Sequence, residues 1–209
     1  MKKHRNGSAI IWIMVIIAII LVVVDGYLYL ESSHVQQQSY TDKIFPFSLP
    51  YPNDFAFSNS LTEAQKKSVA SYMGSCPLGG TYQPANEIGF CYVGGQSSDG
   101  FTAAALNVTA STTESDLSCQ RSIQNDQGQS TQQVSLNGIG FYHDELGDAG
   151  LGHYLSMSSY RTYHDGVCYT IVLDVESDRG VQEKGLSPAF RSMMQAKLES
   201  MLETFRFIE

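Results

Sequence analysis

Basic side chains are scarce in this sequence: 13 Lys and Arg stand against 21 Asp and Glu, a formal net charge of −8 over 209 residues. Lys2, Lys3 and Arg5 precede the first acid, Asp25, so residues 25–209 hold 10 basic and 21 acidic side chains, a net of −11. A surface that repels phosphate, without any Lys/Arg cluster, excludes nucleic-acid binding. The short chemical motifs are missing too. There is no G-x-S-x-G for a hydrolase serine, no H-E-x-x-H, no phosphate-cradling P-loop and no C-x-x-C. The five histidines, at 4, 34, 143, 153 and 164, assemble no catalytic set, and neither a catalytic residue nor a cofactor is expected. Disorder is excluded by a hydrophobic content of 43% with 11% aromatics.

Long apolar stretches are equally rare, with one exception. Ala9–Val24 reads AIIWIMVIIAIILVVV, without a polar side chain. Eighteen helical residues rise about 27 Å at roughly 1.5 Å each, enough for a bilayer core. In lipid the helix is enforced even for β-branched Ile and Val, because every N–H and C=O must find a partner inside the segment. Residues 1–8 are then the cytoplasmic basic flank and the bulk of the chain lies outside. Residues 9–30 are expected to be an uncleaved signal-anchor helix and its exit, embedded in the bilayer through residues 9–24. The exit, Val24-Asp25-Gly26-Tyr27, has no A-x-A cleavage pattern, and the first cysteine, Cys76, is too distant for lipidation. Gly7-Ser8 before an Ile-rich helix resembles a prepilin processing site. Where that family carries an assembly glutamate, this chain has Trp12.

Residues 31–44 are polar, lack an apolar period and read as a tether. Residues 45–209 then form one domain of about 165 residues. Phe47–Pro52 alternates as a short strand whose prolines suggest a sheet edge, and Phe55 and Phe57 continue as a second. Ser60–Glu63 is a capping box for a helix reaching Met73. Ile88–Val93 and Phe101–Thr109 form a hairpin across a Gly-rich turn, and Thr113–Asp116 opens a second helix bearing Leu117, Cys119 and Ile123. Leu151–Tyr163 and Val167–Val175 flank Asp165-Gly166, a type I′ hairpin signal that pairs His164 with Val167, Tyr163 with Cys168 and Tyr160 with Ile171. Ser187-Pro188 caps a long helix with the stripe Phe190, Met194, Leu198, Met201 and Leu202, before a closing strand at Phe205–Ile208. The fold class is α+β, a mostly antiparallel sheet with helices on both faces, preceded by the transmembrane helix.

Phe47-Ser-Leu-Pro-Tyr-Pro52, Asp165-Gly-Val-Cys-Tyr-Thr-Ile171 and the ending Met201-Leu-Glu-Thr-Phe-Arg-Phe-Ile208 resemble the PsbP-related family. The resemblance covers most of residues 45–209 and implies an α/β/α sandwich, of the membrane-anchored bacterial type. It carries no ligand residues over to this chain.

Cys76, Cys91, Cys119 and Cys168 all follow the apolar run, and four cysteines in an oxidising compartment admit three disulfide connectivities. Cys168 faces away from Ile171, where the helix bearing Cys119 can cover it, and Cys76 follows the first helix closely enough to reach Cys91. Cys76–Cys91 and Cys119–Cys168 are therefore expected. Spacings of 15, 28 and 49 leave no close pair for zinc.

His143–His153 gathers three carboxylates and two imidazoles in what reads as a strand-to-strand loop. Asp144, Glu145 and Asp148 are candidate oxygens for a weak divalent-cation site, and the simpler reading is an acidic, solvated, Gly-containing turn. Tyr142, Tyr154, Tyr160 and Tyr163 nearby are either a recognition surface or half-buried packing. Asn107-Val-Thr109 is a glycosylation sequon inside an expected strand. The function expected is that of a membrane-tethered, extracytoplasmic, non-enzymatic binding or accessory domain, with the bilayer and another membrane or cell-surface protein as partners. A pilin-like or secretion-assembly component, and a metal-dependent enzyme with its site around residues 143–153, are the competing readings.

Overall fold

Ten strands and two helices build the part of the chain that the computed structural model describes, residues 37–62, 76, 87–94, 101–121, 131–150, 153–178 and 188–209. The strands are β1 (Gln37–Asp42), β2 (Phe47–Pro52), β3 (Phe55–Phe57), β4 (Glu87–Tyr92), β5 (Phe101–Ser111), β6 (Gln132–Leu136), β7 (Ile139–Gly150), β8 (His153–His164), β9 (Val167–Asp178) and β10 (Arg206–Phe207). The helices are α1 (Asp116–Cys119) and α2 (Pro188–Leu202). The apolar run Ala9–Val24, the helix expected over residues 60–73, Ile123 and Ser187 lie wholly or mainly outside the described residues. Ser58–Ser60, at the point where that helix was expected to begin, forms a 3-10 turn, and Leu61 after it is extended. Among the described residues no helix is long and apolar enough to cross a membrane.

The strands are antiparallel throughout and fall into two sheets, where a single one was expected. The larger has seven strands in the order β3-β4-β5-β9-β8-β7-β6, and the smaller has three in the order β1-β2-β10. The expected register of the central hairpin is observed: His164 faces Val167, Tyr163 faces Cys168 and Tyr160 faces Ile171. Asp165 (φ 47°) and Gly166 (φ 81°) supply the two left-handed positions of the turn. A second hairpin of the same chemistry, not anticipated, turns at Asn137-Gly138 between β6 and β7.

Alternation then sorts the residues. Tyr169, Ile171, Leu173 and Val175 share the inner face and are buried. The small sheet and α2 cover that face, α2 through Met194, Leu198, Met201 and Leu202. Each such side chain contributes about 1.5–3 kcal/mol on leaving water. Phe205, just past α2, joins the layers: its ring lies 5.2 Å from Phe47, 6.3 Å from Phe141 and 6.4 Å from Tyr169, centroid to centroid.

Three local expectations are corrected. Gln37–Asp42, read as tether, is an edge strand, because one half-buried aromatic, Tyr40, packing against Phe47 and edge-on to Phe90, suffices where the outer side is solvent. Phe47–Pro52 is the middle strand of its sheet. Its prolines are tolerated because β10 pairs only with Phe47 and Ser48, so Pro50 and Pro52 lie past its end. The helix near Cys119 is a single turn capped by Ser115 rather than Thr113, and its Leu117 is 70% exposed. Of the expected helical cover on both faces, the described residues include only this turn on the outer face, where Cys119 and Cys168 sit at disulfide distance (Cα–Cα 5.6 Å). Cys76 and Cys91 are paired at the same separation. These are the two connectivities expected. The 49-residue separation of the Cys119–Cys168 pair is worth about 4 kcal/mol in the chain-entropy model.

A Cβ added at Gly166 meets no atom within 4 Å, so only backbone strain opposes it. Gly166→Ala should lower stability by about 1 kcal/mol, a drop of roughly 2–4 °C in the calorimetric melting temperature.

Candidate functional site

The acidic segment read as a loop is strand. β7 runs through to Gly150 and pairs with β8 as far as His153. The glycines do not break it, since Gly147 faces Ser156 in the ladder, and pairing with β8 supplies the hydrogen bonds that local propensity does not. Strand geometry divides the candidate cation ligands between two faces. Asp144 lies opposite Ser159 on the outer face, while its neighbour Glu145 belongs to the inner face. The side chain of Asp148 is outside the described residues, and among those described no three His, Cys, Asp or Glu side chains converge as a metal would need.

The outer half is closed. Arg161, 3% exposed, donates from Nη2 to Asp144 Oδ2, and Thr131 donates from Oγ1 to Asp144 Oδ1 at 2.8 Å. This network ties β6 and β7 to β8. Asn107 and Asp174 are buried on the same face, so the Asn of the sequon sits inside the sheet. At the start of β4, burial pushes the Glu87 carboxyl above the usual carboxylate range.

The inner half is open. His143 stacks on Tyr160, ring centroids 4.4 Å apart and 19° from parallel, as their direct pairing across β7 and β8 dictates. Phe141 meets the same Tyr160 ring edge-on. Tyr160 is only 9% exposed. Burial first, and then the charges of Glu199 on α2 and Glu145 on β7, push its hydroxyl up to about 12. His143 Nε2 is buried and unpartnered beside it. Both glutamates are exposed. This inner site therefore offers hydrogen-bond acceptors around a neutral phenol. Glu199 is invisible to local sequence reading, since docking of α2 alone brings it to Tyr160. The one signal is an acid in the last turn of a helix, opposed by the helix dipole. Elsewhere, His164 stacks on Phe207 at 3.8 Å as part of the packing between the two sheets.

No family model matches the chain, and no curated protein matches it. Solved structures align loosely. A crystal structure from Bacteroides thetaiotaomicron covers 83% of this chain at 11% identity and a TM-score of 0.47, and the chain spans 49% of it. The solution structure of cyanobacterial PsbP (CyanoP) from Synechocystis covers 83% at 13% identity and a TM-score of 0.43, with 94% of that chain spanned. LpqN of Mycobacterium tuberculosis, described as involved in cell envelope biogenesis, covers 87% at 11% identity and a TM-score of 0.44, with 95% spanned. Scores at this level describe a loose likeness of architecture and carry nothing about function.

Two outcomes test the outer half. Arg161→Met should cost about 3–5 kcal/mol because it strands a buried carboxylate, whereas Arg161→Met with Asp144→Leu should recover most of the loss in urea titrations. For Glu87, a raised folded pKa means the native state binds more protons, so stability falls as pH rises through the carboxylate range. Glu87→Gln should therefore raise the melting temperature at pH 7 and leave it unchanged at pH 3, where the carboxyl is protonated in both states.

Proposed function

We propose that this chain is a membrane-tethered binding or accessory protein whose folded domain works outside the membrane without chemistry of its own. The observation that carries the reading is the pairing of all four cysteines, each C-terminal to the apolar run Ala9–Val24. Paired cysteines belong in an oxidising compartment, and the basic flank at Lys2, Lys3 and Arg5 orients the remainder of the chain toward it. Binding rather than catalysis fits the inner site. A phenol held at about 12 stays protonated across physiological pH and is no general base there. The partner on this reading is another membrane or cell-surface protein.

Cell fractionation and surface proteolysis test it. The full chain should stay with membranes through an alkaline wash, and protease added to intact spheroplasts should digest residues 37–209. A chain released by the wash, or a domain protected until the membrane is broken, overturns the proposal.

A further inference from the structure

Among the described residues the two sheets leave four strand edges, and three of them are short or charged. β3 has three residues and runs into the 3-10 turn at Ser58–Ser60, β10 has two, and β1 ends on Asp42. β6, Gln132–Leu136, closes the seven-stranded sheet with five residues that include neither a charge nor a proline, and no described strand pairs beyond it. Natural sheets protect such an edge with lysine, proline, a bulge or a cover. The hairpin geometry identifies the backbone groups left over. Leu136 faces Ile139 across the left-handed Asn137-Gly138 turn, so these two are the hydrogen-bonded closing pair of a two-residue hairpin. Bonded and non-bonded pairs alternate along an antiparallel ladder. Val134 and Gln132 therefore bond to β7, while Ser135 and Gln133 turn their N–H and C=O groups outward. The side chains of Ser135 and Gln133 are both exposed. β6 thus offers two donors and two acceptors along an open edge.

We propose that β6 is a self-association edge, pairing antiparallel with β6 of a second copy about a twofold axis at Val134. In that register Gln133 of each copy faces Ser135 of the other. Both pairs exchange an N–H and a C=O in each direction, so every outward group on the two strands is used. Centring the axis on Gln133 or on Ser135 instead leaves a single such pair, so the strand is complementary to itself in one register above the others. On the inner face Val134 then meets Val134 of the second copy, and Leu136 meets its Gln132. Val134 and Leu136 are half-buried at the rim of the core, and the facing strand completes their cover. Charge favours a copy at this place. A net of −8 makes two copies repel over most of their surface, whereas the uncharged β6 sets no acid against another. The same backbone groups accept any extended peptide, but a second copy supplies the matching pairs by symmetry. The inference stands apart from membrane tethering, which would serve only to concentrate the copies.

The test places single cysteines in the full chain, whose own four are already paired, and reads disulfide-linked dimers on non-reducing gels after mild oxidation of membranes. Val134→Cys should cross-link, because opposite residues of a non-hydrogen-bonded pair lie about 4.5 Å apart, Cα to Cα, within the span of a disulfide. Gln133→Cys alone should not, since this register leaves the two copies of residue 133 roughly 8 Å apart. Mixed with Ser135→Cys chains, it should give a dimer of one chain of each kind. Ser39→Cys, exposed on β1, measures chance collision and should give little dimer. Ser135→Pro added to Val134→Cys removes an outward N–H and no ladder bond, so the melting temperature should hold while the dimer is lost. Gln133→Lys with Ser135→Lys sets like charges opposite one another across the axis, keeps the hairpin free of proline, and should cut the dimer several-fold. The proposal is overturned by the absence of a Val134→Cys dimer, or by equal yields from Ser39→Cys or Gln133→Cys alone. A dimer that survives both the proline and the lysine variants overturns it too, as does a link from Val134→Cys to a different protein. Failure here leaves the fractionation result standing, and the reverse holds equally.

Discussion

Everything in this domain depends on the register between β8 and β9. The ladder puts Tyr160 opposite Ile171 and Arg161 opposite Thr170, and side chains alternate strictly across a strand. A slip of one residue would turn Arg161 into the core and send Tyr160 to the outer face. The two left-handed residues of the turn, Asp165 and Gly166, prevent that slip locally, and the Cys119–Cys168 pair lies only two residues from Gly166. Burial of Tyr169, Ile171 and Leu173 under α2 enforces the same register from a distance. Turn chemistry, covalent linkage and core packing thus agree, which is the consistency that gives a sequence one structure.

The two faces of the large sheet solve different problems. The inner face is an apolar interior with aromatic rings from both sheets meeting at Phe205. The outer face buries charge, and Asp144, Arg161 and Asp174 are among its most enclosed side chains. A buried ion pair adds little net stability compared with apolar residues of the same size, but it penalises any arrangement that separates its partners. The Asp144–Arg161 pair joins neighbouring strands, so it holds the β6–β7 hairpin in place while the core sets the rest.

How much of this was legible depended on whether local and long-range forces point the same way. Asp165-Gly166 between alternating strands was legible because turn residues and burial agree. The cysteine pairing was legible once Cys168 had been assigned to a face. The segment 143–153 was not, because glycines and acids carry a local preference for turns that pairing with β8 overrides. Gln37–Asp42 escaped notice since an edge strand needs almost no hydrophobic signal. The inner site was half visible: His143 and Tyr160 lie in segments already singled out, while Glu199 arrives through tertiary docking of α2. The asparagine-glycine step at 137–138 was a readable hairpin signal, equal in kind to the one at 165–166.

The Cys119–Cys168 link has a further effect on the chain as an object. Residues between these two cysteines include the whole of β6, β7 and β8, so three of the seven strands of the large sheet are contained in a covalent ring. A single peptide-bond cut anywhere inside that ring leaves both new ends attached to the same molecule. The severed pieces remain at high effective concentration and stay paired through the strand ladder. A protein built this way can be nicked at one of its most exposed hairpin tips without shedding a fragment, and intact mass under non-reducing conditions would hide the damage apart from one added water.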